Sequence, residues 1–477
     1  MPTKINEGKS TQPKSTKVMK AVLEENPAMA KSLADAGAVE YKDGAVTFSE
    51  DTATIRAIGE NVMKYQDTRE MWLNTLVNRI VYTIVTSRMW EFKYARFEKG
   101  MVELGETVEE LFVNLIDPYK FSNDYAEKKV HSRFQNDVRA AFHARNVTVQ
   151  YPLSISQMQM RTAFLSWQNL DDFISKQIEA LWTSLNTDKF NLFKYTLGRA
   201  MLDGFIAGVK IPDVSTGDAE ALNDAIANMR ELSLNLTYNT PNYNAAGVYN
   251  HTEIDRQTFV MTSRFDAQSA VKVLARAYNM DEAKLLAKTI GIDSFSNVDW
   301  KRLKLLATDP DTKVVDGWYK PYTPAEIALL EKIPCVVCDD DIWQIWTNLL
   351  EMSEQPNRMG LWWNYWLTYF ATFSMSPFAN AAALCSETGS VTSVTVSPAA
   401  ATLSKGASLQ LEAVVVTTGV VSHSVDWEMT GNVTGSYVDG DGRVFIAKDE
   451  TATSITVKAT SVADPKKSGS ATITVSA

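Results

Sequence analysis

From Trp167 onward, Leu170, Phe173, Ile174, Gln177, Leu181 and Leu185 recur three or four residues apart, and Phe190, Phe193, Leu197 and Met201 carry the pattern towards Gly204. That period belongs to an α-helix with an apolar face turned to a core. At 1.5 Å per residue, roughly 35 residues predict a rod about 50 Å long. Compact domains seldom need so long a helix. The chain is therefore expected to build around a structural spine.

Other patterns flank the spine. Upstream, Met71, Leu73, Leu76, Val77, Ile80 and Ile84 fit a helix between Asp67 and Thr86 that leads into a β-branched run. The stretch from Trp90 to Glu106 alternates apolar and charged residues and is interrupted by Gly100 and Gly105. It predicts a protruding hairpin, a thin ribbon that is marginal in water and needs support from elsewhere, such as a partner chain. Downstream, the strand Phe259-Val260-Met261-Thr262 leads to Asp266 as helix cap, followed by Val271, Leu274, Ala275 and Tyr278 on one helical face. The same grammar returns at Ile333-Pro334-Cys335-Val336-Val337-Cys338, then Asp339-Asp340-Asp341, then Ile342, Ile345, Trp346 and Leu349. These are strand-to-helix units of a mixed α+β domain.

Leu361 to Leu384 carries no Asp, Glu, Lys or Arg and is long enough to cross a bilayer. Polar residues from Asn364 to Asn380 interrupt it, however, and its aromatic residues are scattered instead of gathered at two ends. Trp363, Tyr365, Leu367, Tyr369 and Phe373 alternate, which predicts a long buried strand and no membrane span.

The net charge of −10 disfavours a nonspecific binder of nucleic acid or anionic membranes. Five lysines and one glutamate among the first twenty residues predict a flexible basic arm. No apolar run there could serve as a signal peptide, so secretion by that route is not expected. Three cysteines, Cys335, Cys338 and Cys385, supply no disulfide framework and suit a reducing compartment. Alternation would point Cys335 and Cys338 to opposite faces of a strand, which argues against a metal or redox pair. The acidic run Asp339 to Asp341 fits a helix start better than a cation site. His131, His143, His251 and His423 show no paired spacing, and no nucleophile motif or phosphate-binding loop is present. No enzyme activity, cofactor or metal is expected.

After Cys385, Thr, Ser, Val and Gly dominate in short alternating runs, and Asp439-Gly440-Asp441-Gly442 is a turn signal. An all-β sandwich over residues 386–477 is expected. Val394-Thr395-Val396-Ser397-Pro398, Leu403, Lys405-Gly406, Leu409-Gln410-Leu411, Val425-Asp426-Trp427, Gly442-Arg443-Val444 and Ile455-Thr456-Val457-Lys458-Ala459-Thr460 resemble the bacterial Ig-like group 2 pattern. Trp427 would fill the gap between its sheets.

Residues from about 60 to 385 resemble major capsid proteins of short-tailed, phi 29-like phages, whose subunit has the Hong Kong 97-type fold. The resemblance rests on the order of parts: mobile arm, hairpin, spine, strand-helix units, and the aromatic strand closing on Ser374-Met375-Ser376-Pro377-Phe378-Ala379-Asn380. It implies an N-terminal arm over residues 1–60 and a capsid body over 61–385. Within the body it implies an E-loop about 90–125, a spine helix about 167–203, an A-domain about 205–355 and a P-domain return strand about 361–384. It further implies self-assembly into hexamers and pentamers of an icosahedral shell made in the host bacterial cytoplasm and enclosing double-stranded DNA. Scaffolding and portal proteins would be partners, and the Ig-like domain could meet a host-surface ligand. Phe92, Tyr94, Phe97, Met101 and Leu104 of the E-loop would then be buried only against a neighbouring subunit. Two alternatives remain open on sequence alone: a cell-surface adhesion protein with an Ig-like domain, and another virion protein such as a portal.

Overall fold

In the computed structural model the described residues are 15–64, 66–82, 92, 94–102, 107–116, 118, 121, 137–215, 217–272, 288–387, 389–433 and 435–476. The first of them form a helical unit: α1 (Ser15–Glu25), α2 (Pro27–Asp35), the hairpin of β1 (Glu40–Lys42) and β2 (Ala45–Thr47), α3 (Thr52–Lys64) and α4 (Gln66–Tyr82). Met19, Val22, Leu23, Met29, Leu33, Ile55, Ile58, Val62, Trp72 and Leu73 are buried in one apolar cluster. The expectation of a flexible arm over residues 1–60 is thus corrected from residue 15 onward; residues 1–14 lie outside the described residues. Average composition there is polar, but Met19, Val22 and Leu23 keep helical spacing, and spacing decides whether a helix can bury a face.

The chain continues through β3 (Glu98–Met101), β4 (Val108–Val113), β5 (Val138–His143), β6 (Val147–Ser156) and α5 (Gln157–Ala163) to the spine, α6 (Trp167–Leu202). With 36 residues, α6 is about 54 Å long. The Ser166 hydroxyl caps its start by accepting from the Asn169 amide. It stops before Gly204, whose φ of +72° closes the helix end. A β-carbon at Gly204 would strike the His423 ring, so this position requires glycine for space as well as for backbone angle. Charged residues also tie the spine to the body: buried Asp188 pairs with Arg302 and accepts from the Tyr151 hydroxyl, and Lys194 pairs with Asp293.

After the spine come β7 (Ala207–Lys210), α7 (Ala219–Asn235), β8 (Gln257–Thr262), α8 (Ser263–Lys272), β9 (Lys288–Ile292), α9 (Trp300–Ala307), α10 (Pro324–Leu330), β10 (Cys335–Asp339), β11 (Trp343–Asn357), β12 (Trp362–Met375) and β13 (Ala381–Cys385). They complete two sheets of strand order β3-β11-β12-β6 and β7-β13-β10-β8-β9. One core takes Leu185, Phe193 and Leu197 of the spine together with Leu367, Tyr369 and Phe373 of β12 and Val336 and Cys338 of β10. On the other face of β10, Cys335 and Val337 join Leu222, Met229 and Phe265 of α7 and α8. The two sulfurs therefore do point into different cores.

Several local expectations change. α8 begins at Ser263, so Asp266 lies in its first turn and does not cap it; Leu274, Ala275 and Tyr278 lie outside the described residues. Ile345, Trp346 and Leu349, whose spacing predicts a helix, belong to β11, which pairs with β12 from Trp343–Met375 to Asn357–Trp362. A bulge between Thr347 and Leu349 shifts the alternation and creates the helix-like spacing. The run from Leu361 to Leu384 is two strands in different sheets, separated at Ser376-Pro377, although Trp363, Tyr365, Leu367, Tyr369 and Phe373 all face inward as expected. Among the described residues no helix is long and apolar enough to cross a membrane.

Beyond Cys385 the chain is all strand. β14 (Ser390–Ser397) pairs with β17 (Glu412–Thr418). A four-stranded sheet holds β15 (Ala400–Ser404), β22 (Ser468–Ser476), β21 (Ser454–Ser461) and β18 (Val425–Thr430), and a three-stranded one holds β16 (Ser408–Gln410), β20 (Arg443–Phe445) and β19 (Tyr437–Val438). Alternate residues such as Val394, Val396, Ile455, Val457 and Ile473 form their own core, with Trp427 half-buried at its border against the Gly442 turn. This β-rich unit is seated on the body: Val420 enters the body core, and the Ser424 hydroxyl donates to the Ala245 carbonyl at 2.8 Å.

Candidate assembly surface

β4 and β5 form a two-stranded antiparallel ribbon, with Glu109 opposite Phe142, Leu111 opposite Ala140 and Val113 opposite Val138. A strand sends successive side chains to opposite faces, and here the faces are inverted relative to the usual pattern. Glu110, Phe112, Arg139 and His143 turn toward the body. Leu111 (63% exposed), Val113 (62%), Val138 (53%) and Phe142 (66%) turn toward solvent, joined by Glu109. A row of exposed apolar side chains on a thin ribbon is a candidate protein-contact surface.

The inward face is locked by polar contacts. His143 is buried, with Nε2 3.1 Å from Glu110 Oε2 and Nδ1 2.7 Å from the Ser374 hydroxyl. The Ser376 hydroxyl donates to Glu110 Oε1 at 2.8 Å. Burial alone would raise the Glu110 carboxyl, but the hydrogen bonds from His143 and Ser376 outweigh it and hold the group below the usual carboxylate value. Phe112 stacks on Phe378 at 5.4 Å. At the ribbon's other end buried Arg139 pairs with Asp137 at 3.0 Å and donates to the Ala246 carbonyl. Asn114 donates to Asp137 and accepts from the Tyr249 amide. The Arg139 guanidinium also lies against Gly440 of the C-terminal unit, so body and C-terminal unit together hold this end of the ribbon.

The five E-loop residues singled out by sequence do not share one environment. Phe92, Tyr94 and Phe97 are buried within their own chain, against Phe193 and Trp343, with Tyr94 stacked on Phe193 at 4.2 Å. They are corrected from assembly contacts to core residues. The reason is topological: β3 adds in parallel to β11, through Glu98–Ile345 and Met101–Thr347, and draws the preceding segment into the core. Met101 is exposed, and Leu104 lies outside the described residues. Leu111, Val113, Val138 and Phe142 were missed. No alternation marks them: Val108-Glu109-Glu110-Leu111-Phe112-Val113 sets two carboxylates side by side and three apolar residues in a row, so only the pairing with β5 assigns their face.

Other candidate chemistry resolves into structure. Asp339 caps a short 3-10 turn by accepting from the Asp341 amide at 2.9 Å. Asp340 pairs with Arg96 and Lys288, and Asp341 with Lys99 and Arg256. Among the described residues no group of His, Cys, Asp or Glu is placed to hold a metal ion.

Residues 34–385 match the sequence profile of the Phi29-like phage major capsid protein family. The chain belongs to that family. The major capsid protein of Bacillus phage B103 is 30% identical over 410 residues, covering 85% of this chain and 84% of that one. That of Bacillus phage PZA is 27% identical over 409 residues, with coverage of 85% and 84%. A chain from the structure of head fiber and inner core protein gp22 of native bacteriophage P68 shares the fold, with a TM-score of 0.50 and 13% identity over 64% of this chain and 87% of its own. This capsid protein forms the icosahedral shell of a phage virion and is structural, not enzymatic. The adhesin and portal alternatives fall away. The family match ends at Cys385, where the β-rich C-terminal unit takes over.

Proposed function

We propose that the body is a Hong Kong 97-type subunit whose β4–β5 ribbon is the E-loop, laid across a neighbouring subunit within hexamers and pentamers. The observation that carries this reading is the inverted ribbon: Leu111, Val113, Val138 and Phe142 face outward while Glu110, Arg139 and His143 face the body. A monomeric protein would gain by exchanging those faces, so the arrangement makes sense only if the outer strip is covered in the assembly. Full burial of such side chains contributes about 1.5–3 kcal/mol each, less the cost of ordering the ribbon.

In this reading α6 is the spine, the sheet containing β11 and β12 is the peripheral domain and the sheet containing β10 is the axial domain. Residues 390–476 form a group 2 Ig-like domain on the outer surface, supported by their short antiparallel strands and by Trp427 against the Gly442 turn. Scaffolding and portal proteins are the partners in assembly, and double-stranded DNA is enclosed without sequence-specific contact. Exposed loops of the Ig-like domain are open to a host-surface ligand. Cryo-electron microscopy of assembled shells tests this reading. The expected result is ribbon density crossing onto the adjacent subunit; a ribbon lying wholly over its own subunit would overturn it.

A further inference from the structure

A groove of about 700 Å³ runs between α3 and α5, lined by Arg56, Gly59, Glu60, Met63, Lys64, Arg161, Phe164 and Leu165. Arg56, Glu60 and Lys64 follow one another at four-residue intervals on the exposed side of α3, and Arg161 faces them from α5. The rim therefore carries three cations against one carboxylate, in a chain whose net charge is −10. Among the described residues neither Arg56 nor Arg161 forms an ion pair; Arg56 Nε only donates to the Leu165 carbonyl. Arg161 also lies close enough to Arg69 for their like charges to oppose each other. Phe164 and Met63 give the floor an apolar character.

The ribbon strand has the complementary character. From Met101 to Tyr119 the sequence holds five carboxylates and neither Lys nor Arg. With Glu110 turned inward to His143, the outward face of β4 presents Glu109 beside Leu111 and Val113. A strand that offers a carboxylate next to branched apolar side chains fits a groove with a cationic rim and an apolar floor.

The ribbon cannot reach the groove of its own chain at these residues. β6 leads from the ribbon's root, just after His143, to Ser156 at the start of α5, and its ten residues span about 33 Å. β4, six residues long, extends only about 20 Å. We infer that the groove between α3 and α5 receives the outward face of β4 from a second copy of this chain, with Glu109 set against Arg161 and Arg56. This rests on the ribbon acting as an intersubunit loop and names the surface that receives it. Electrostatic pairing at such a rim chiefly sets register and rejects wrong partners.

The test is a charge swap, read as the subunit concentration at which shells form when the full chain is supplied with its scaffolding protein. Arg56→Glu with Arg161→Glu should raise that concentration more than about ten-fold, as like-charge contacts do at a docking rim. Glu109→Lys, on a different element and exposed, should do the same. Combining Arg56→Glu and Arg161→Glu with Glu109→Lys should restore assembly toward the parent level, because every interface in a homo-oligomer then sets a cation against carboxylates again. Added salt should weaken the parent's assembly and narrow the difference between parent and variants. Normal assembly of the arginine variants, or loss without restoration in the swapped chain, overturns the assignment of the groove. A Leu111→Ser, Phe142→Ser chain separates the two readings. If it fails to assemble while the arginine variants succeed, the ribbon still crosses between subunits but lands elsewhere; if it too assembles normally, both readings fall.

Discussion

Replacing Leu111 and Phe142 together with serine removes two of the apolar side chains from the ribbon's outer face. In the free chain they are 63% and 66% exposed, so close to two-thirds of their burial remains to be gained on assembly. Full burial contributes about 1.5–3 kcal/mol, which leaves about 1–2 kcal/mol for each residue and about 2–4 kcal/mol for the pair. At about 1.4 kcal/mol per factor of ten, the contact weakens by roughly 30- to 700-fold, with ordering of the ribbon favouring the lower end. The assay is light scattering or sedimentation across a subunit concentration series with scaffolding protein present, beside a thermal melt of the free subunit. Because both residues are exposed before assembly, the melt should hardly move while the onset of shell formation shifts to much higher concentration. An unchanged onset would refute the idea that this strip is covered in the shell.

Three further outcomes follow from the body. Because the Glu110 carboxyl lies below its ordinary value of 4.5, its partners stabilise the ribbon root fully above that pH and lose their effect as the pH falls through the lowered native value. The protection of β4 and β5 amides relative to their intrinsic exchange rates should therefore fall below that pH, and Glu110→Gln should remove this dependence. Gly198→Ala places a β-carbon into the Tyr322 hydroxyl packed on the spine, and thermal denaturation should show a loss of about 1–3 kcal/mol. Arg302→Ala leaves buried Asp188 with only the Tyr151 hydroxyl among these partners, at a cost of about 3 kcal/mol in denaturant unfolding.

The spine was legible because one apolar face keeps its period from Leu170 to Met201. The same held for the inward row of β12, from Trp363 to Phe373, and for the strand texture after Cys385. The ribbon was displaced by one segment because residues 90–106 alternate apolar and charged side chains, whereas Val108-Glu109-Glu110-Leu111-Phe112-Val113 of β4 does not. What distinguishes them in the fold is that β3 finds a parallel partner in β11, far away in sequence, while β4 finds only β5. Alternation also says which residues share a face, but not which face meets the body. The polar inward face of Glu110, Arg139 and His143 depends on Ser374, Ser376 and Ala246, which no local window contains. β11 was misread because its bulge imitates a helical period, and α1 because lysines mask Met19, Val22 and Leu23.

Thiol labelling of a Val113→Cys chain probes the covered ribbon most directly. Cys335, Cys338 and Cys385 are all buried, so the new thiol on the outward face would dominate the signal. Rapid labelling of the free subunit and strong protection in assembled shells is the predicted result. Equal labelling rates in the two states would show that the strip stays in solvent and that the subunits are joined by some other surface.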